Sequence, residues 1–155
     1  MSRTKLKYWR GDCAFLPDLK DGVSSAKNMM KGDHIRVLRY GMFYHHAIDI
    51  GNGKVIQYRG EIIRGKDPTQ STVGINSASE FLRYAGSDLE VVQYSEEIFT
   101  SDEVIKRAKN RLGENRYNIF FNNCEHFCYW CKTGRSKCIQ LNTIFKDIRS
   151  IFPKK

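Results

Sequence analysis

The chain lacks any long apolar run: its hydrophobic residues, 41% of 155, come in stretches of only a few at a time. A membrane-spanning helix needs roughly 20 consecutive apolar residues, so none is expected. The opening "MSRTKLKYWRGDC" is basic but has neither the apolar stretch nor the small-residue cleavage site of a secretory signal. Nor is there an even number of cysteines, and five cannot close into a full disulfide set. These absences predict a cytoplasmic chain whose thiols stay reduced. Acidic residues are outnumbered 17 to 26 by Lys and Arg, giving a net charge of +9 spread from Lys5 to Lys155. Such a surface suits plain solvation or an anionic membrane. Zinc-finger, homeodomain and RRM patterns are missing, so no nucleic-acid partner is expected.

What is there reads as one α+β unit without internal repeats, long enough to bury a core. "GDHIRVLRY" alternates as a strand, and "YHHAIDI" and "KVIQYRG" flank "GNG" as a hairpin. "IRGKDPTQSTVGINS" is a loop with room for one more short strand, and "LEVVQYS" (Leu89 to Ser95) is another strand candidate. Thr100 and Glu103 form a capping-box pattern for a helix with Val104, Ile105, Ala108 and Leu112 on its apolar face and Gly113 as its stop. A second helix is predicted from about Asn123 to Gly134. A third, "LNTIFKDIRSIF", places Leu141, Ile144, Phe145, Ile148, Ile151 and Phe152 at helical spacing.

Four of the five cysteines fall in "YNIFFNNCEHFCYWCKTGRSKC". If Asn122 or Asn123 caps the second helix, Cys124 lies in its first turn, where backbone N–H groups and the helix dipole favour a thiolate. At about 100° per residue, Cys124, Cys128 and Cys131 share one stripe with Phe127 while His126 points away. "CEH" therefore cannot chelate one ion, and C-x3-C-x2-C is not a common zinc spacing. Cys128 and Cys131 read as core residues, and no metal or cofactor is expected.

A cysteine nucleophile needs a base. His126 faces away and His34 stands near the start of a strand without polar company, which leaves "FYHHAIDIGNGKVIQY". A histidine on a central strand, oriented by Gln57 on its neighbour, gives cysteine–histidine–polar logic. A two-residue Asn52-Gly53 turn pairs Ile50 with Val55 and puts Gln57 on the face of His46. A three-residue "GNG" loop with a bulge puts it on the face of His45. Periodicity leaves both open.

"NCEHF" at Asn123 to Phe127, with a histidine strand well upstream, resembles the lecithin:retinol acyltransferase (LRAT) domain family. "GDHIRVLR", "HHAIDIGNGKVIQ", "AGSDLEV", "IKRAKNRLGENRYNIFFNNCEHF" and "KTGRSKCIQ" follow in that family's order over roughly residues 32–140. The resemblance implies a small antiparallel sheet packed against helices, a circularly permuted papain-like (NlpC-type) fold. It divides the chain into an extension (1–31), an LRAT-like catalytic domain (32–140) and a basic amphipathic C-terminal helix (141–155). It implies Cys124 as nucleophile, His45 as general base and acid, and Gln57 as the residue orienting His45, and hence the bulged hairpin. Gln57 stands where many members have a second histidine; its carbonyl oxygen can accept the Nδ1–H of the base. Asp49 replaces the usual aromatic residue and is expected to reach solvent or reshape the site mouth.

The implied activity is acyl transfer from a glycerophospholipid, through a Cys124 thioester, to water, an amine or a lysophospholipid. The expected partner is a phospholipid bilayer surface, visited reversibly by a monomer, with the terminal helix flanked by Lys146, Arg149, Lys154 and Lys155 as one means of docking. Two rival classes would use the same residues: a thiol peptidase or isopeptidase of the permuted papain type, and a catalytically silent interaction module.

Overall fold

The computed structural model describes residues 29–59, 70–142 and 146. Most of the expected extension and of the terminal helix lies outside them. Five strands form one antiparallel sheet in the order β4-β3-β2-β1-β5: β1 His34–Arg39, β2 Phe43–Gly51, β3 Lys54–Arg59, β4 Thr72–Ser77 and β5 Glu90–Val91. Among the described residues, three helices accompany it, α1 Ala78–Phe81, α2 Ser101–Asn110 and α3 Cys124–Thr133, with a further helical turn at 139–142. The α+β class follows directly, and no described helix is long and apolar enough to cross a membrane.

Because side chains alternate across a strand, β2 and β3 serve both faces of the sheet. Ile48, Ile56 and Tyr58 pack with Val104 and Ala108 of α2 and with Cys124, Phe127, Cys128 and Cys131 of α3. Ala47 and Val55 face the other way, against Phe81, Leu82, Ala85 and Leu89. Cys128 and Cys131 are thus core residues, as their place on the stripe of Phe127 predicts.

The hairpin between β2 and β3 combines the two alternatives left by the sequence. Asn52 and Gly53 have φ of 53° and 65°, a two-residue turn with both central residues left-handed, for which Asn-Gly is suited. Yet Gly51 pairs with Lys54 and Asp49 with Val55, so Ile50 is an unpaired extra residue. The bulge, not a longer loop, moves Gln57 onto the face of His45.

Elsewhere the chain departs from expectation for identifiable reasons. Leu89 to Ser95 supplies only the two-residue β5, since Tyr94 turns inward and places its hydroxyl 2.7 Å from His34 Nδ1. The α2 cap is half of the predicted box: Thr100 Oγ1 accepts the Glu103 N–H. Leu112 is not on its apolar face but exposed beyond the helix end, where Gly113 N–H donates to Val73 O and Val73 N–H to Glu114 O. The chain leaves the helix early to tie itself to β4.

Asp49 neither reaches solvent nor shapes the site mouth. It is buried beneath the bulge, where Oδ1 accepts the Gly51 N–H and Oδ2 has no hydrogen-bond partner among the described residues. Burial pushes its carboxyl up to about 7, opposed by the Gly51 bond and reinforced by nearby Asp33. A folded-state pKa raised above the unfolded value means that the contribution of Asp49 to stability is greatest in acid and is lost as pH rises through about 4 to 7. Asp49→Asn should therefore be more stable than wild type at pH 8, by up to about 4 kcal/mol, with the difference shrinking towards pH 4. Urea unfolding at the two pH values measures this, and an equal difference at both would remove the assignment.

Candidate active site

Helix α3 starts where the sequence leads one to expect it. Asn123 Oδ1 accepts the N–H groups of Glu125 and His126, while His126 Nδ1 accepts the N–H of Asn123, a reciprocal cap. Gly134, with φ of 78°, closes the other end in a left-handed conformation that favours glycine. His126, which faces away from the cysteine stripe, thus has a structural task. Glu125 has another: its carboxylate accepts the N–H groups of Ile139 and Gln140 and the thiol of Cys138 at 2.9 Å. It caps the helical turn beginning at residue 139.

The β2–β3 pairing ends at Ile48 and Ile56, and Cys124 belongs to the same core cluster as these two residues. The backbone N–H groups of His46 and Glu125 bear on the Cys124 sulfur. His45 Nε2 lies 2.6 Å from Gln57 Oε1. That oxygen can only accept, so Nε2 carries the proton and Nδ1 keeps its lone pair. The expectation had the bond at Nδ1; the structure reverses the two nitrogens. His45 and Cys124 both line a cavity of about 200 Å³, walled by Tyr40, Phe43, Tyr58 and Tyr117.

The electrostatics overturn one sequence expectation. Burial pushes the Cys124 thiol up to about 11, outweighing the backbone N–H groups and the charge of Arg39 that act in the opposite sense. Burial, then the Arg39 charge, also holds His45 well below the usual histidine range, against the Gln57 bond that raises it. The resting pair is a neutral thiol and a neutral imidazole, because a helix end cannot compensate for removal of a thiolate from water. Cys131 and Cys138 are pushed to about 12.

His46 and His34 are the second correction. His34 is not without polar company: its Nε2 lies 2.7 Å from His46 Nδ1, and its Nδ1 is held by Tyr94. Gln140 Nε2, a donor, stands 3.0 Å from His46 Nε2. His46 must then donate from Nδ1 to His34, and His34 from Nδ1 to Tyr94, which fixes both tautomers. The same Gln140 amide joins Tyr44 and Glu125 to this network.

Three elements of the site escaped the sequence reading: Arg39, Gln140 and the cluster behind Tyr58. Arg39 lines the cavity and its Nη2 donates to Phe81 O. Tyr58 donates to Glu114, whose carboxylate also accepts from Arg111, and Asn122 Nδ2 donates to both Tyr58 and Glu114. Arg111 holds the Glu114 carboxyl down at about 2. Glu114, Arg111 and Asn122 lie near one another in sequence, but Tyr58 is remote, so no local pattern announces the cluster.

The model of the family described as lecithin retinol acyltransferase matches residues 27–137. The chain belongs to that family. Among its relatives, the rat protein named lecithin retinol acyltransferase is 26% identical over 131 residues, covering 69% of this chain and 55% of the relative. The mouse protein of that name is 24% identical over 148 residues, covering 80% and 63%, and the human one 25% over 114 residues, covering 66% and 49%. The chain thus spans about half to two thirds of the length of these curated relatives. Family membership embraces the hairpin bearing His45 and Gln57, the cap residue Asn123, and Cys124.

The neutral resting pair makes a measurable prediction. Alkylation of Cys124 by iodoacetamide should keep accelerating from pH 7 to beyond pH 9, since the thiol is pushed to about 11. A rate already level below pH 7 would reveal a stable thiolate–imidazolium pair and overturn this account.

Proposed function

We propose that the protein is a thiol-dependent acyltransferase that takes a fatty acyl group from a glycerophospholipid and passes it to water, an amine or a lysophospholipid. The observation that carries the reading is the meeting of Cys124 and a Gln57-anchored His45 on one aromatic-walled cavity. Family membership supports acyl transfer as the reaction class, because its named relatives are acyltransferases.

In the proposed cycle His45 Nδ1 takes the thiol proton as the sulfur attacks the acyl carbonyl carbon, forming the C–S bond. Negative charge developing on the carbonyl oxygen is met by backbone N–H groups at the start of α3, that of Cys124 among them. Collapse breaks the ester C–O bond, and the imidazolium returns its proton to the departing lysophospholipid oxygen. The acceptor then loses a proton to Nδ1, attacks the thioester and releases the thiolate, which recovers that proton. Gln57 keeps the ring in the tautomer with a free Nδ1 throughout. Proton transfer during attack replaces a standing thiolate, consistent with the raised thiol and depressed imidazole.

Incubation with phosphatidylcholine liposomes, followed by intact mass and lysophospholipid analysis, tests the reading. Wild type should gain one fatty-acyl increment or release lysophospholipid; Cys124→Ala should do neither, a loss of at least about a thousandfold. His45→Ala should fall nearly as far, and Gln57→Ala by roughly tenfold to a hundredfold because it only orients the base. Full turnover by Cys124→Ala would end the proposal. Turnover of amide or isopeptide substrates with none of lipid would replace it with the peptidase reading.

A further inference from the structure

Immediately before α3, residues 118 and 122 pair across a three-residue tip, Ile119-Phe120-Phe121. Asn118 and Asn122 exchange both backbone hydrogen bonds, at 3.0 and 2.8 Å. Asn118 Oδ1 also accepts the N–H groups of Phe120 and Phe121, and Asn123 Nδ2 donates to Ile119 O. The tip is therefore hydrogen-bonded at nearly every turn of its backbone. Its side chains are nonetheless 48%, 53% and 77% exposed, with the two phenylalanine rings 6.3 Å apart. A loop so well tied could have turned these groups inward; instead it holds a large apolar surface outward.

Its position is informative. Ile119 lines the Cys124 cavity, and so do Tyr40 and Phe43 at the β1–β2 turn, between which Met42 is 70% exposed. Ile139, half exposed, stands between Cys138 and Gln140, both of which also line the cavity. Three separate segments that contribute lining residues to the cavity thus also carry exposed apolar side chains. Exposed Arg116 and Lys137 flank two of them, in a chain of net charge +9.

We propose that this rim is an interfacial docking face for an anionic phospholipid bilayer, with Phe120 and Phe121 as its principal inserting side chains. The inference rests on the acyltransferase reading for its purpose, since the rim would set the cavity mouth against the lipid. The apolar tips enter the headgroup–acyl boundary while the cations remain among the anionic headgroups. Separate apolar side chains on three segments, accompanied by cations, suit a deformable anionic lipid surface better than a rigid globular partner.

The test separates docking from catalysis by using full-length Cys124→Ala as the parent chain throughout. Sedimentation with vesicles of phosphatidylcholine and phosphatidylserine should show binding that Phe120→Ser/Phe121→Ser weakens by roughly tenfold or more. Ile98→Ser, which removes an exposed apolar side chain that does not line the cavity, should leave binding as in the parent. Thermal unfolding of each variant establishes that it is folded. Equal binding by the double variant and its parent, or no vesicle binding by the parent, overturns the docking face. A change in oligomeric state on gel filtration with vesicle binding intact would also overturn it, marking the tip as a contact between copies. Vesicle binding that depends on both phenylalanines, alongside a wild type without lipid turnover, would leave the docking face standing and remove only the acyltransferase reading.

Discussion

One unpaired residue, Ile50, governs the geometry of the site. Side-chain direction in a strand alternates, so a shift of one position exchanges the faces of the whole hairpin. With the Asn52-Gly53 turn alone, Gln57 would share a face with His46, and His45 would lose the partner that fixes its tautomer. The bulge at Ile50 shifts the register and brings Gln57 Oε1 to 2.6 Å from His45 Nε2. His46 is thereby assigned to the opposite face, where it joins His34, Tyr94 and Gln140. Two adjacent histidines acquire different chemistry from a single backbone irregularity. Beneath the same bulge lies Asp49, with one oxygen on Gly51 and the other without a hydrogen-bond partner among the described residues. An unusual buried carboxyl is thus a consequence of the arrangement that separates the two imidazoles.

The second constraint is a competition between burial and helix-end electrostatics. Position at the start of α3 gives Cys124 backbone N–H groups, yet enclosure in the core raises its pKa more than those groups lower it. The same enclosure keeps His45 neutral. A site of this kind is chemically quiet at rest, with both the thiol and the imidazole held towards their neutral forms. It differs in this from sites in which a stable thiolate awaits its substrate, and the difference is visible in the pH dependence of alkylation rather than in the identity of the residues.

Much of this was legible because it is local. Asn123 as a cap, Gly134 as a stop, the Cys-Phe-Cys-Cys stripe and the Asn-Gly turn each lie within a few residues of the feature they specify. Resemblance then selected His45 over His46, a choice periodicity left open. What was missed depends on distant pairings. His34 read as isolated because Tyr94 and His46 are 60 and 12 positions away. Gln140 meets Tyr44 across 96 residues, and Tyr58 reaches Glu114 across 56. Asp49 was expected at the mouth because a charged residue is usually solvated, but the bulge turns that position inward. The error over the Cys124 pKa has another origin: helix position can be read from sequence, whereas the depth of burial depends on how two strands and a helix end pack.

Asn123 connects the chemistry to the surface. Its side-chain oxygen organises the first turn containing Cys124, while its amide nitrogen donates to Ile119 O at the base of the exposed tip and lies 3.4 Å from Cys138 Sγ. Glu125, next to the cysteine, accepts from the thiol of that same Cys138 and caps the turn containing Ile139 and Gln140. Two of the three segments around the cavity mouth are therefore fixed to the residues on either side of Cys124 in the chain. Movement of the helix start relative to either segment would break hydrogen bonds within this set. The mouth and the sulfur are consequently tied together through the two residues that flank Cys124.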